Sequence, residues 1–499
     1  MRITVGSRFT SKLAAWGALA LLLTCGPLAA WAQDASSESV SDLKSEVQEL
    51  QKEIHELKGE VTTIKSQQAL VPPPPAAQKP QTIGETVGGL GKSVEDIRTN
   101  LATNLGIQVH GLVSANYEYN FNNPNTSGGS KGGINAVSTG GKTNQLRTFD
   151  VNANGWDLQQ FNLHIARVSD GGVGFVTDLN FGQVANVLAG STRYSNLNPA
   201  AVSNNEFDLT QAYLTYTVPW GQGINLQLGR FVTLLGEEVI PTYQNQNFNI
   251  SSSYIFGFGI PFTHTGLRGT YAFNSAVSMT LGVNNGWDDV SDNNSGASVE
   301  GELTLTPTAT TSLVLNGIYG PEQVNHGNSQ RWAIDPIATW HTPIKGLQLV
   351  GEYLYADEGG PVSVVPAYSS HGNGLLVDPA GPNGTVNIPN SVSWTAAAGY
   401  IVYDLTDNVE FATRGEWFRD SEGARTGLRQ TLGEFTETIN YKIPEVTGLL
   451  GRLEYRHDFS NAAPFFGSDI APANSPNFPN PSHTYNGQDT VMAEAVYAF

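Results

Sequence analysis

The sequence predicts an all-β transmembrane barrel of about sixteen antiparallel strands, preceded by an α-helical coiled-coil stalk. Three observations predict it. From Ile107 to Phe499, apolar and polar residues alternate in short runs with a period of two. The connections between those runs alternate between short and long. Beyond the first 32 residues there is no stretch of about 20 apolar residues, so any membrane crossing falls to strands.

Residues 1–32 read as a secretory signal. Arg2, Arg8 and Lys12 form the positive region, Leu13 to Leu23 the apolar run, and Ala30-Trp31-Ala32 the cleavage site. The one cysteine, Cys25, lies inside this segment, which excludes disulfides and thiol chemistry from the mature chain. The whole chain carries 26 basic and 45 acidic residues. Removing the signal leaves 23 against 45, a net of −22, so nucleic acid is excluded as a partner class.

Residues 33–70 form the stalk. Val40, Leu43, Val47, Leu50, Ile54, Leu57, Val61 and Ile64 repeat at spacings of three and four, with β-branched residues at a and mostly Leu at d. Glu53–Lys58 and Glu60–Lys65 occupy g and the following e, which favours parallel, in-register helices. The a/d residues lean towards a dimer, whereas barrel walls offer far more packing area. A homotrimer is the expectation, with a dimer as the alternative. Residues 71–106 follow as a linker. Pro72 to Pro75 make a stiff spacer, and a glycine-weakened helical pattern runs from Ile83 to Leu105.

The barrel occupies 107–499. Candidate strands lie near 107–119, 157–168, 172–182, 207–218, 223–231, 262–273, 276–284, 298–306, 310–319, 330–341, 346–356, 392–404, 408–418, 428–442, 449–458 and 489–499. Tight turns such as Asn274-Ser275 alternate with long loops such as 232–261 and 357–391. An even strand number puts both termini on the short-turn, periplasmic side. In the first three strands, His110, Asn116, Glu118, Asn162, His164, Asp178 and Asn180 share the polar face, expected to line the lumen, while the apolar face meets outer-membrane lipid. Tyr117, Tyr119, Tyr216, Tyr271, Trp340, Tyr353, Trp394 and Trp417 suit aromatic girdles near strand ends. Glu434 and Glu437 straddle both parities of their strand, and Pro336 interrupts its own. Bulges are expected at both.

Several segments resemble the putative β-barrel porin family described as OmpL-like. They are Leu146–Asp150 with Asp157–Gln159, Gly174–Gly182, Thr210–Tyr216, Gly229–Ile240, Ser253–Arg268 and Asn285–Asn294, in that order. The resemblance implies a bacterial outer-membrane pore with no cofactor, here with a periplasmic coiled coil before the barrel. The closing strand Val491–Phe499 ends on an aromatic residue, similar to the assembly signal of outer-membrane barrels, which implies the barrel assembly machinery as a partner through Phe499. In sixteen-stranded porins the loop after the fifth strand folds into the lumen. Here that loop, 232–261, carries Glu237 and Glu238 beside the apolar run Ile255–Ile260.

Arg268, Arg414, Arg452 and Arg456 have inward parity. Set across the lumen from Glu237 and Glu238, they would make a transverse field at a constriction. The alternative is that these arginines pair with wall carboxylates Glu410, Glu416 and Glu454 and brace the barrel. Asp288, Asp289, Asp292, Asn293 and Asn294 form an oxygen-rich loop that reads as solvated turns rather than a Ca²⁺ site. No metal or nucleophile constellation is expected, and the chain is not expected to be an enzyme. The function expected is passive diffusion of ions and small polar solutes. The alternative is a structural envelope protein whose stalk tethers the outer membrane.

Overall fold

A computed structural model describes residues 105–124, 144–167, 172–194, 206–323, 326–360, 362–364, 386–388, 390–468 and 484–499, together with Glu49, Lys52, Ala102 and Thr103. The signal, the heptad positions Val40, Leu43, Val47, Leu50, Ile54, Leu57, Val61 and Ile64, and the Pro-rich segment lie outside the described residues.

Sixteen antiparallel strands close into one barrel, each paired with its sequence neighbours. They are β1 (Ile107–Asn120), β2 (Gly155–Arg167), β3 (Val173–Phe181), β4 (Phe207–Val218), β5 (Ile224–Val232), β6 (Thr263–Asn274), β7 (Val277–Asn284) and β8 (Ser298–Thr308). Then follow β9 (Thr311–Gln323), β10 (His326–His341), β11 (Leu347–Glu358), β12 (Val392–Asp404), β13 (Val409–Asp420), β14 (Gln430–Lys442), β15 (Leu449–Ser460) and β16 (Gly487–Ala498). Every expected strand is present, with ends moved by a few residues. One helix, α1 (Gln183–Tyr194), follows β3, and two short ribbons, Val362–Val364 with Val386–Ile388 and Phe465–Phe466 with Thr484–Tyr485, lie outside the barrel ladder.

Closure runs from Leu112 opposite Ala498 to Asn120 opposite Thr490. It is finished by paired bonds between Gly111 and Phe499, each N–H donating to the other's carbonyl at 2.9 Å. A closed ladder satisfies every strand's backbone groups in lipid. The terminal ring lies over Gly111, where a Cβ would run into it.

Side-chain parity sorts the wall. Tyr119, Tyr216, Trp340, Tyr353 and Trp417 are exposed on the outside, as girdle residues should be. Trp394 corrects that expectation. It is fully buried inside the barrel, and its indole N–H donates to the Gly259 carbonyl at 2.9 Å. Val392–Asp404 is apolar on both faces, so parity alone did not choose a side for Trp394. Neither expected bulge occurs as such. Glu434 is inward and buried, while Glu437 is outward and exposed, accepting the Thr413 hydroxyl at 2.9 Å. Pro336 keeps its place opposite Leu315, and the β10–β11 ladder omits Asp335 and Pro336.

The hydrophobic core lies in the lumen. The loop between β5 and β6 folds inward and supplies Leu235, Ile240, Tyr254, Ile255, Phe256, Phe258, Ile260 and Phe262. These pack on inward wall residues Leu354, Trp394, Ala396, Tyr400, Phe418 and Leu432, on Leu146 and Phe149 of the segment before β2, and on Val184 and Leu188 of α1. Ile255–Gly259 forms one π-helical turn. Its glycines permit this close approach, because a Cβ at Gly257 would meet Thr148 and one at Gly259 would meet Leu354.

Candidate functional site

A loop that leaves the ladder must find other partners for its backbone donors. The inward loop finds them in carboxylates on β13–β15. Glu416 accepts the N–H groups of Tyr254 and Ile255, both at 2.6 Å. Glu454 accepts those of Ile250 at 2.5 Å and Ser251 at 3.0 Å, and also the Thr438 hydroxyl at 2.7 Å. Glu238, on the loop itself, accepts the Ser253 N–H at 2.8 Å.

Arginines complete the strapping. Arg414 on β13 is fully buried and pairs with Glu238 at 2.5 Å and Glu434 at 2.8 Å, while donating to the Ser251 carbonyl at 2.7 Å. Arg456 on β15 pairs with Asp458 at 2.7 Å and donates to the Ser252 carbonyl at 2.5 Å. Arg452 pairs with Glu494 at 3.1 Å and donates to the carbonyls of Asn247 and Phe248. Arg147, from the segment before β2, bridges Asp150 and Asp458. Burial opposes its charge, yet those carboxylates hold its pKa above the ordinary arginine value. Tyr254 caps the network, its hydroxyl donating to Asp458 at 2.7 Å.

The candidate residues therefore fall into three groups. Glu238, Arg414, Arg452 and Arg456 converge where the loop meets β12–β16. Arg268 stands apart on β6, paired with Glu300 at 3.0 Å and stacked 3.9 Å over the Phe231 ring. Glu237 is part-exposed and takes no part in the arginines' ion pairs. Burial, then the neighbouring charges of Glu238 and Asp335, push its carboxyl up to about 7. Glu410, also named from the sequence as an arginine partner, instead accepts the Asn440 amide at 2.8 Å. The partners the sequence reading missed are Glu434, Asp458, Glu494 and Arg147. For the three strand carboxylates inward parity was the available signal, but parity does not say which of many inward groups meet across the lumen, and Arg147 lies outside the strands and has no parity.

The polar faces of β1–β3 also point inward. His110, His164 and Asp178 lie in one cross-strand row. His110 stacks on Tyr243 of the inward loop at 4.0 Å, and His164 meets Asp178 at 2.9 Å. Asn162 donates to Asn180, and Asn180 to Thr210. Asn116 reaches the Met492 sulfur at 3.3 Å, and Glu118 accepts the Asn144 amide at 2.5 Å.

Among the described residues, no group of three His, Cys, Asp or Glu side chains is arranged to hold a metal ion. In the oxygen-rich loop, Asp288 accepts the N–H groups of Phe262 at 2.8 Å and Thr263 at 2.9 Å, so it serves the inward loop's end. Burial raises its pKa.

Residues 106–499 match the family model described as Putative beta-barrel porin-2, OmpL-like. Among solved structures, the outer membrane channel DcaP of Acinetobacter baumannii aligns at TM-score 0.45 and 11% identity, over 79% of this chain and 97% of that one. The anion-selective porin from Comamonas acidovorans aligns at 0.45 and 9%, over 79% and 99%. Pseudomonas putida OprB aligns at 0.43 and 10%, over 85% and 99%. No curated protein matches the chain.

Proposed function

The chain belongs to the putative beta-barrel porin-2, OmpL-like family, and from that premise we propose that this outer-membrane channel passes ions and small polar solutes down their gradients. The observation that carries the reading is the lopsided filling of the barrel. The inward loop is strapped to β12–β16. Across the lumen, inward groups such as Gln211, Gln227, Thr270 and Thr304 stay part-exposed. A polar, part-exposed wall facing a fixed loop suits diffusion of hydrated solutes past a constriction.

The oligomer is proposed to be a trimer held by wall packing and by the coiled coil at 33–70, which would hang in the periplasm. Phe499 is proposed as the handle for the barrel assembly machinery. The apolar core inside the lumen favours the second reading, a structural protein tethering the outer membrane through its stalk. Planar-bilayer recording on the purified oligomer decides between them. Stepwise conductance supports the porin, and electrically silent insertion of folded protein supports the tether.

A further inference from the structure

We propose that a cavity between the inward loop and the wall of β16, β1 and β2 binds the N–H donor head of a small uncharged solute of the primary-amide class. The inference goes beyond the porin reading and does not depend on it.

The inward loop docks unevenly. Against β13 to β15 its backbone is held by Glu416, Glu454, Arg414 and Arg456. Towards β16, β1 and β2 the packing leaves a cavity of about 40 Å³. Leu112 of β1, Val496 of β16, Phe149 and Phe256 give it apolar walls. Gln246 and Asn249 of the loop give it polar ones. Gln246 and its neighbour Asn247, which also lines it, are part-exposed, so the cavity opens towards the lumen.

Two of the polar atoms on these walls are acceptors without a donor. Asn249 is 2% exposed, and its Nδ2 donates to the Thr438 hydroxyl oxygen at 2.7 Å and the Ala412 carbonyl at 3.3 Å. Thr438 donates its own proton to Glu454 at 2.7 Å, so its oxygen can only accept. Exchanging the two ends of the Asn249 amide would set oxygen against oxygen, which fixes its orientation. The Oδ1 atom of Asn249 then has no partner, and neither has the buried Oε1 of Gln246. Covered acceptors lining one cavity call for N–H or O–H donors.

The donor should be uncharged. Glu494 and Arg452 also line the cavity, but they pair with each other at 3.1 Å, and the second Glu494 oxygen accepts the Ser114 hydroxyl at 2.5 Å. The two charges cancel, and an ammonium would lie beside a guanidinium with Glu494 already engaged. Water brings donors too, but also an oxygen for which the apolar walls hold no donor. A primary amide carries two N–H donors on one nitrogen and can leave its carbonyl in the open mouth. Size agrees: a cavity of about 150 Å³ holds benzene, so about 40 Å³ holds roughly two non-hydrogen atoms, the carbon and nitrogen of the head.

The test is saturation-transfer NMR on the full-chain oligomer in detergent, with acetamide as the probe and acetone as its isostere without N–H donors. Acetamide should show saturable transfer in roughly the millimolar range, several-fold above acetone. Val496→Phe should fill the cavity and lower the acetamide signal to the acetone level. Gln246→Met removes one acceptor from the loop without touching the strand ladder and should lower the signal several-fold, so a Val496→Phe variant that fails to fold does not block the result. Equal transfer to both probes overturns the inference, because the acceptors then select nothing. Absence of saturable transfer to acetamide overturns it too, since the cavity then takes water only. So does an acetamide signal unchanged in either folded variant. None of these outcomes bears on the porin reading, which conductance decides.

Discussion

Replacing Arg414 by Met should detach the inward loop without unfolding the barrel. The substitution removes the guanidinium from Glu238, Glu434 and the Ser251 carbonyl at once, and leaves Glu238 and Glu434 buried at 5% and 2% exposure. Breaking one side of a buried ion pair costs about 3–5 kcal/mol. The backbone ladder of β13 and β14 does not depend on the side chain, so the penalty falls on the loop-docked state. At 1.4 kcal/mol per tenfold, detached loop should become roughly a hundred- to a few thousandfold more populated. The anchors at Glu416, Glu454 and Arg456 remain, so opening should be local. Heat-modifiable gel mobility should be unchanged, cleavage between 240 and 254 by an added protease should accelerate, and single-channel current should become larger or noisier. The double change Arg414→Met with Glu434→Gln should recover part of the protection, because one stranded charge is then gone. Equal protease resistance and identical current in Arg414→Met would refute the claim that this ion-pair cluster holds the loop.

Three further outcomes follow from the same geometry and sequence. Deleting 33–70 should leave the barrel foldable, since its ladder is closed by Gly111 and Phe499, while lowering the yield of cross-linked trimer; native mass spectrometry of the full chain should give three copies. Gly111→Leu should collide with the Phe499 ring at a cost of about 1–3 kcal/mol and slow barrel closure in refolding, and adding Phe499→Ala should relieve that clash. Glu437→Leu should raise the midpoint of thermal unfolding in lipid, because it removes an outward carboxylate from the lipid-facing wall at the loss of one bond from Thr413; a lowered midpoint would show that this carboxylate is covered by protein.

The strands were legible because their determinants are local. Alternation with period two, tight turns and strand-end aromatics all lie within about ten residues of chain. The inward loop was half legible. Its run from Ile255 to Ile260 is too apolar for water, but its docking partners lie on β10 to β15, a long way along the chain. Glu416 and Glu454 were named as arginine partners and turn out to receive backbone N–H groups instead. Arg147 went unnamed because the long segment 120–156 offers no periodicity to fix its direction. Trp394 falls on the other side from the one expected because a strand apolar on both faces carries no parity signal.

The acidic excess of the chain acquires a structural cause from this arrangement. A wide barrel filled by loops creates many backbone N–H groups with no ladder partner, and an ionised carboxylate can accept two or three of them at about 1.5–3 kcal/mol each. Glu416, Glu454 and Asp288 each take a consecutive pair, and Asp420 takes Ala424, Arg425 and Thr426. An acceptor for N–H groups needs no basic side chain, so carboxylates accumulate without matching lysines or arginines. Net charge therefore overstates the charge that is free inside the barrel. Most of the inward carboxylates are occupied by loop backbone or by arginine. On the inward loop, the Glu237 side chain is the part-exposed carboxylate with neither kind of partner. Substitutions at Glu416 or Glu454 should therefore act first on loop docking, since each holds two consecutive N–H groups of the inward loop.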